Sequence, residues 1–169
     1  EVARRIQFRD FGVIVNVQGD EPFIEAPPLQ ESIRLVREGG WEIGTVASRI
    51  ETREEWKSPS VVKVTRSQDG GALYFSRAPI PYPRQGEPTA AEFASGDFLR
   101  HIGVYAYTAE ALQRWVELPE GSLERLERLE QLRPLAAGIR IGVAVVDRAD
   151  GGIDTLEDAG RAETRLRAG

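Results

Sequence analysis

Apolar and polar positions along the chain predict strands and helices in turn. The β-branched run at 12–17 is typical of a strand that is covered on both faces. Residues 28–38 then carry apolar side chains at helical spacing, and residues 43–50 form a second apolar run. A strand, a helix and a strand in this order form a βαβ unit, which predicts a parallel or mostly parallel sheet.

The middle of the chain follows a different pattern. Short runs at 61–65 and 72–76 flank a glycine-rich turn, which predicts an antiparallel hairpin. Four prolines within 79–88 predict an extended, irregular loop. We expect one domain over residues 1–169, with 57–100 as a possible hairpin or dimerisation subdomain inside it.

The last part of the chain completes the pattern. It predicts a strand at 101–107, helices at 109–117 and 123–133, a buried strand at 139–146 and a final helix that begins near Thr155. The fold class expected from the pattern is therefore α/β with a mixed, mostly parallel sheet and a small antiparallel hairpin.

Composition narrows the chemistry that this domain can perform. There is no cysteine, and His101 is the only histidine, so thiolate and histidine-rich metal sites are excluded. A metal would need carboxylate ligands, which favour magnesium or a similar hard cation. The net charge of −5 argues against a nucleic-acid partner. No apolar stretch approaches the roughly 18 to 20 residues of a membrane span, so we expect no membrane partner.

Two aspartates are candidates for such carboxylate ligands. Asp20 follows the run 12–17, and ligands of open α/β sheets collect at the carboxyl ends of strands. Asp154 precedes the final helix, where it is either a second metal ligand or a helix N-cap. The segment around Asp20 is also consistent with a polar turn that closes a buried strand, and the pattern does not decide between these alternatives.

The strand at 101–107 carries two different faces. Because side chains alternate along a strand, Ile102, Val104 and Ala106 lie on one face. The other face is polar and suits a hydroxyl-rich ligand, although a lone histidine is often structural; its members are His101, Gly103, Tyr105 and Tyr107.

The segment 122–133 predicts one amphipathic helix. Leucine recurs at every third position, which indicates a buried stripe, and Ser122 is suited to be the N-cap. Glu124, Glu127 and Glu130 are then expected on a solvated face. Periodicity gives no reason to prefer Glu130 over the other two. No glycine-rich phosphate-binding motif is visible anywhere in the chain.

Five segments together resemble one family. The chain is similar to the 3-deoxy-manno-octulosonate cytidylyltransferases, also called CMP-KDO synthetases, where KDO is the eight-carbon sugar acid. The segments that carry this likeness are VNVQGDEPFI at 15–24, ALYFSRAPIPY at 72–82, FLRHIGVYAYTAEAL at 98–112, LERLERLEQLR at 123–133 and GIDTLEDAGR at 152–161.

The resemblance implies a fold and an activity. The fold would be a Rossmann-like nucleotidyltransferase, usually a cytoplasmic homodimer. The reaction would transfer CMP from CTP to the anomeric hydroxyl of KDO, giving CMP-KDO and pyrophosphate for lipopolysaccharide synthesis. The cofactor would be Mg²⁺, which offsets charge on the phosphates.

The resemblance also assigns roles to particular residues. Asp20 and Asp154 match the metal-binding, catalytic aspartates. A cationic Arg77 would face the sugar carboxylate. The residues that match the substrate-binding positions are Gln18, Arg77, His101, Tyr105, Glu130 and Gln131.

One departure from the family pattern leaves other functions open. Family members normally open with an R-x-x-S-x-R-x-P-G-K loop that grips the triphosphate, and this chain does not contain it. We therefore expect the chain to be N-terminally truncated and inactive alone. The alternatives are a cytidylyltransferase for another sugar acid, such as a sialic acid, and a non-catalytic sugar-binding or dimerising remnant.

Overall fold

A computed structural model describes residues 11–19, 23–147 and 156–168. Within these ranges the strands are β1 (Ile14–Val17), β2 (Ile43–Arg49), β3 (Lys63–Arg66), β4 (Ala72–Ser76), β5 (Leu99–Tyr107) and β6 (Ile141–Val146). The helices are α1 (Ala26–Arg37), α2 (Arg53–Lys57), α3 (Ala90–Ala94), α4 (Ala109–Glu117), α5 (Ser122–Glu127), α6 (Leu132–Ala136) and α7 (Leu156–Ala168). Among the described residues, no helix is long and apolar enough to cross a membrane.

The six strands form one mixed sheet in the order β4-β3-β5-β2-β6, and β1 pairs with β5 beside this path. Strand β5 runs antiparallel to β1, β2 and β3, while β2 and β6 are parallel. The mixed sheet is confirmed. The strands β1, β2, β3 and β6 share one direction, but most hydrogen-bonded pairs are antiparallel because β5 lies between them.

Strand β1 differs from its prediction. Within the described residues it pairs only with β5, and Val15 and Val17 are each 38% exposed. The prediction of a strand covered on both faces is therefore wrong for this part of the structure. Its β-branched composition favours an extended backbone but does not determine which faces other elements cover.

Helix α1 covers one face of the sheet. It begins with prolines in its first turn, where the missing N–H has no intrahelical partner to lose. The helix approaches β2 closely at Gly44, where an added Cβ would lie 2.3 Å from the carbonyl oxygen of Ser32. Val46, Ile102 and Val104 form the apolar core beneath it.

The opposite face is covered by helices α4 and α6. Val64, Phe75 and Leu132 pack there against the sheet. The turn of the hairpin reaches the edge of β6, where the Gly70 carbonyl accepts a hydrogen bond of 2.8 Å from the Val143 amide. The predicted hairpin is thus part of the main sheet and core, while a role of 57–100 in dimerisation stays a prediction.

The single helix predicted over 122–133 is wrong. Helix α5 ends at Glu127, the next residue, Arg128, has a left-handed φ of 52°, and α6 starts at Leu132. Leu126 is 81% exposed, because a three-residue spacing drifts around a helix of 3.6 residues per turn. Glu124, expected in solvent, is instead buried and paired with Arg133. The break lets these two side chains meet.

Candidate functional site

A cleft of about 440 Å³ opens beside the polar face of β5. Its walls come from the end of β1, the second half of β5, helix α4 and the connection between α5 and α6. The lining residues are Asn16, Gln18, Tyr105, Tyr107, Leu112, Trp115, Val116, Glu130, Gln131 and Arg133.

Three aromatic rings form one wall of this cleft. Tyr105 and Tyr107 point the same way because they are two positions apart on β5, and their rings stack at 5.9 Å and 15°. Trp115 from α4 contacts both rings edge-on, at 6.1 and 5.5 Å. These contacts pack the three rings against one another in the arrangements that aromatic pairs favour.

The hydroxyl of Tyr105 is buried in this wall without a protein partner. Among the described residues, only this atom and Trp56 Nε1 are buried side-chain N or O atoms that lack a hydrogen bond. Trp56 lies in a separate aromatic cluster, whereas Tyr105 lines the cleft. Burial, with Tyr107 and Glu130 nearby, raises the pKa of Tyr105 well above its usual 10. An O–H donor without a described partner therefore lies buried in the wall of the cleft.

The neighbouring Tyr107 hydroxyl, by contrast, has a partner. A hydrogen bond with Asn16 of β1 partly offsets the effect of burial, which raises the pKa of Tyr107 to about 12. Asn16 and Tyr105 are opposite each other in the β1–β5 ladder. Sequence reasoning missed Asn16, although it alternates with Gln18 and so points to the same face of its strand.

Gln18 is fixed at the edge of the cleft by β5. Its amide donates a 3.0 Å hydrogen bond to the Gly103 carbonyl, which continues the β1–β5 ladder past the end of β1. The Gln18 side chain lies over Gly103, where an added Cβ would come within 2.2 Å of Oε1 and 3.2 Å of Cβ of Gln18. A larger residue at position 103 would therefore displace the Gln18 side chain from this place.

His101 lies next to Tyr105 and does not line the cleft itself. Its ring contacts Phe75 edge-on at 5.2 Å and Tyr105 at 5.2 Å. Its Nε2 is 2.9 Å from the hydroxyl oxygen of Thr45. Burial lowers the pKa of His101 to about 3, so the ring is neutral at ordinary pH.

The connection between α5 and α6 contributes the opposite wall of the cleft. Glu130 is exposed there and Gln131 is 4% exposed. Arg133 is also in the cleft, but Glu124 accepts hydrogen bonds from its Nε, at 2.7 Å, and from its Nη2. Glu130 thus adds negative charge to the cleft, while the positive charge of Arg133 is paired with the carboxylate of Glu124.

Arg77 is not among the residues that line the cleft, and its guanidinium is held by backbone oxygens. Its Nε donates to the Glu127 carbonyl and its Nη1 to the Pro59 carbonyl, both at 2.9 Å. The Glu127 carboxylate accepts from the Arg77 amide at 2.9 Å. The Arg77 side chain is therefore oriented, and its guanidinium donates to neutral oxygens among the described residues.

A buried lysine fixes the backbone at Arg77. Lys63 is 0% exposed, and its ammonium donates to the carbonyls of Ser58, Val61 and Arg77 at 2.6 to 2.7 Å. Burial and the Arg77 charge lower the pKa of Lys63 to about 8, which leaves it charged at neutral pH. Sequence reasoning missed this residue, although it is one of only two lysines in the chain.

The two candidate metal ligands, Asp20 and Asp154, lie outside the described residues. Among the residues that are described, no group of three or more histidine, aspartate and glutamate side chains is arranged to hold a metal. The sole histidine is hydrogen-bonded to Thr45. Two carboxylates are suitable ligands for magnesium, which prefers oxygen donors. Gln18, two residues before Asp20 in the sequence, is fixed at the cleft.

The structure brings together four of the sequence-predicted residues. Gln18, Tyr105, Glu130 and Gln131 line one cleft, although they come from β1, β5 and the α5–α6 connection. His101 is not among the lining residues, and its ring contacts that of Tyr105. The alternation predicted for β5 is confirmed, because Ile102 and Val104 lie in the α1 core while Tyr105 and Tyr107 lie on the other side.

The fold itself occurs in enzymes that transfer nucleotides. A glucose-1-phosphate thymidylyltransferase from Bacillus anthracis superposes with a TM-score of 0.56 over 95% of this chain and 57% of its own, at 14% identity. The structure of a CMP:2-keto-3-deoxy-manno-octonic acid synthetase in complex with CTP superposes with a TM-score of 0.80 at 33% identity. That match covers 94% of this chain and 63% of the other. The class is a Rossmann-like nucleotidyltransferase.

Sequence comparison gives the family within this class. Residues 1–141 match the cytidylyltransferase family model. The 3-deoxy-manno-octulosonate cytidylyltransferase of Gemmatimonas aurantiaca is 46% identical over 97% of this chain and 62% of its own length. The corresponding protein of Syntrophotalea carbinolica is 44% identical over 99% of this chain and 67% of its own length. The chain belongs to the 3-deoxy-manno-octulosonate cytidylyltransferase family.

The chain spans 62 to 67% of the length of these two relatives.

Proposed function

We propose that the protein transfers CMP from CTP to the anomeric hydroxyl of KDO and releases pyrophosphate. In this reaction the hydroxyl loses its proton, its oxygen forms a bond to the α-phosphorus, and the bond to pyrophosphate breaks. The product would supply activated KDO for lipopolysaccharide synthesis in the cytoplasm. Family membership, with relatives of this name at 44 to 46% identity, supports the choice of reaction.

Within the site, the proposal rests on the Tyr105 hydroxyl, which is buried beside the polar cleft and has no partner among the described residues. A buried donor without a partner costs free energy, about 1 to 3 kcal/mol, unless a ligand accepts its hydrogen bond. Sugar hydroxyls and a sugar carboxylate are suitable acceptors. Gln18, Glu130 and Gln131 would complete this ring of polar contacts.

Arg77 is the proposed partner of the KDO carboxylate. Its guanidinium is oriented by Glu127 and Pro59 but donates there only to neutral carbonyl oxygens. A carboxylate would offer it a charge-assisted bond, which is roughly twice as strong as a neutral one. Lys63 supports this arrangement because it holds the Arg77 carbonyl at 2.6 Å.

Magnesium is the proposed cofactor, with Asp20 and Asp154 as its ligands. When bound, it would offset negative charge on the phosphates of CTP. The residues described above act on the sugar side, where they bind KDO and orient its anomeric hydroxyl. Orientation of the attacking group is a major source of rate enhancement in such transfers.

We also propose that the protein is a homodimer. Large apolar side chains are exposed within and near the hairpin segment 57–100, including Leu73 at 61% and Tyr82 at 64%. Exposed apolar groups of this size are typical of interfaces when they form a contiguous patch. Light scattering on the full-length protein would measure the mass in solution, and a monomer would contradict this part of the proposal.

Pyrophosphate release tests the proposed reaction. The full-length protein should turn over CTP with KDO in the presence of magnesium, and N-acetylneuraminate should be a poor substitute for KDO. Preference for the sialic acid would favour a cytidylyltransferase for another sugar acid. No turnover with either sugar would favour a non-catalytic sugar-binding module. Residues 1–169 alone should not turn over, as expected from the sequence.

A further inference from the structure

Strand β5 contains an irregularity next to the candidate site. Thr45 of β2 pairs with Tyr105, but the next residue, Val46, pairs with Ile102. Two residues of β5, Gly103 and Val104, are therefore extra in this ladder. An insertion of this kind leaves backbone groups without their usual strand partner.

The hydroxyl of Thr45 takes the place of a missing backbone donor. Thr45 is 0% exposed, and its Oγ1 donates a 2.7 Å hydrogen bond to the carbonyl of Val104. The same Oγ1 is 2.9 Å from Nε2 of His101. One buried hydroxyl thus joins the irregular backbone of β5 to the histidine.

The distances of 2.7 Å and 2.9 Å from Thr45 Oγ1 determine which nitrogen of the His101 ring carries the proton. A threonine hydroxyl has a single hydrogen, and a carbonyl oxygen can only accept. If the Thr45 hydrogen pointed to His101 instead, two oxygen acceptors would face each other at 2.7 Å without a proton between them. The hydroxyl must therefore accept from His101, and Nε2 must carry the hydrogen.

We propose that Thr45 is a positioning residue that locks His101 in the Nε2–H tautomer, so that Nδ1 is a hydrogen-bond acceptor. Contacts with Phe75 and Tyr105 fix the plane of the ring, at centroid distances of 5.2 Å each. Among the described residues, Nδ1 has no hydrogen-bond partner. Burial keeps the ring neutral, because it lowers the pKa to about 3.

The tautomer has a consequence for ligand recognition. A neutral imidazole that presents a lone pair accepts from a hydroxyl and repels a carboxylate. Where a bound sugar reaches past Tyr105 to this ring, His101 would therefore accept from a sugar hydroxyl, while the carboxylate would be left to a cation such as Arg77. This ligand role rests on the proposed function, whereas the tautomer does not.

The 169-residue chain contains one histidine, so its ring can be observed without interference from another. We would label the chain with ¹⁵N-histidine and record long-range ¹H–¹⁵N correlations at neutral pH. The expected spectrum has a protonated Nε2 and an unprotonated Nδ1. A protonated Nδ1, or rapid exchange between both forms, would overturn the proposal even without any variant.

Two substitutions then test whether Thr45 is the cause. Thr45→Val keeps the shape of the side chain and removes the hydroxyl, and it should give a mixture of tautomers. Thr45→Ser keeps the hydroxyl and should restore the single Nε2–H form. An unchanged spectrum in folded Thr45→Val would show that Thr45 does not set the tautomer.

Kinetics of the full-length protein test the ligand role separately. Thr45→Val should raise the KM for KDO about twofold to threefold, because only the fraction of molecules with an accepting Nδ1 can bind the hydroxyl, with the KM for CTP unchanged. Thr45→Ser should recover most of the loss. An unchanged KM for KDO would overturn the ligand role, and absence of turnover in the unsubstituted protein would overturn the proposed function while the NMR result stands.

Discussion

The two faces of β5 are built on different principles. On the face toward α1, Ile102 is 2% exposed and Val104 0% exposed, and their neighbours are other apolar side chains. On the face toward the cleft, Tyr105 is equally buried, at 2%, but carries a hydroxyl that no described residue satisfies. The same backbone therefore supports a sealed core on one side and an incomplete polar surface on the other.

This contrast separates stability from binding within one strand. Buried polar groups in native proteins nearly always have a partner, so an unpaired one next to a cleft indicates a place that a ligand completes. The apolar face should respond to substitution in the free energy of unfolding. The polar face should respond mainly in the KM for the sugar.

The largest expected effect is on the sealed face. Ile102→Ala should lower the free energy of unfolding by about 2 to 5 kcal/mol, because it leaves a cavity in a packed core. Urea denaturation of the variant measures this loss. Leu126→Ala is the matched control, since Leu126 is 81% exposed and its loss should change little. A cost below about 1 kcal/mol for Ile102→Ala would show that this face is not tightly packed.

The next largest effect is on the KM for the sugar and comes from Arg77. Arg77→Ala in the full-length protein should raise the KM for KDO about tenfold to a hundredfold, because a charge-assisted contact contributes about 1.5 to 3 kcal/mol. Steady-state constants for KDO and CTP measure the effect, and thermal unfolding checks that the backbone near Glu127 and Pro59 is intact. Arg140→Ala is the control, since Arg140 is exposed and stacks over Trp41. A change confined to CTP would contradict the assignment.

A pH effect of intermediate size should come from His101. Its pKa in the folded protein, about 3, lies below the usual 6.5, so the unfolded chain binds more protons between these values. The contribution of neutral His101 to the free energy of unfolding is therefore fully present above about pH 6.5. It is lost as the pH decreases below that value. From pH 7.5 to 5.5 the loss should be about 1.4 kcal/mol. Urea titrations at both values measure it, and His101→Gln should remove this dependence; an equal loss in that variant would assign it to other groups.

The smallest effect distinguishes the two tyrosines. Tyr105→Phe should raise the free energy of unfolding by about 1 kcal/mol, because it removes a buried hydroxyl without a partner. Tyr107→Phe should lower it by about 1 kcal/mol, because that hydroxyl is bonded to Asn16. Thermal or urea unfolding of both variants checks the difference in sign. If both variants are destabilised alike, Tyr105 has a protein partner and the contrast between the faces is lost.

The sequence alone could predict the two faces of β5 and most element positions. Alternation is a local property, so Ile102 and Tyr105 were assigned to opposite sides correctly. The family resemblance supplied Gln18, which follows the strand at 12–17, and Glu130 and Gln131, which the helix pattern did not single out. Their common cleft depends on pairing between distant parts of the chain.

Other features depend on contacts that a local pattern does not contain. Leucine spacing suggested one helix, but the left-handed Arg128 breaks it so that Glu124 can pair with Arg133. The strand pattern at 43–50 does not distinguish Thr45, because its partner His101 is 56 positions away. Long-range polar contacts of this kind decide the geometry of the site, and sequence periodicity does not encode them.

A crystal structure of the full-length protein with CMP-KDO would test the central claim most directly, by the distance from Tyr105 Oη to the bound sugar. If the polar face of β5 is the sugar half of the site, a sugar oxygen should lie within about 3.2 Å of this hydroxyl. Glu130 and Gln131 should then contact the same sugar. A sugar bound elsewhere, with the Tyr105 hydroxyl still unpaired, would contradict the account.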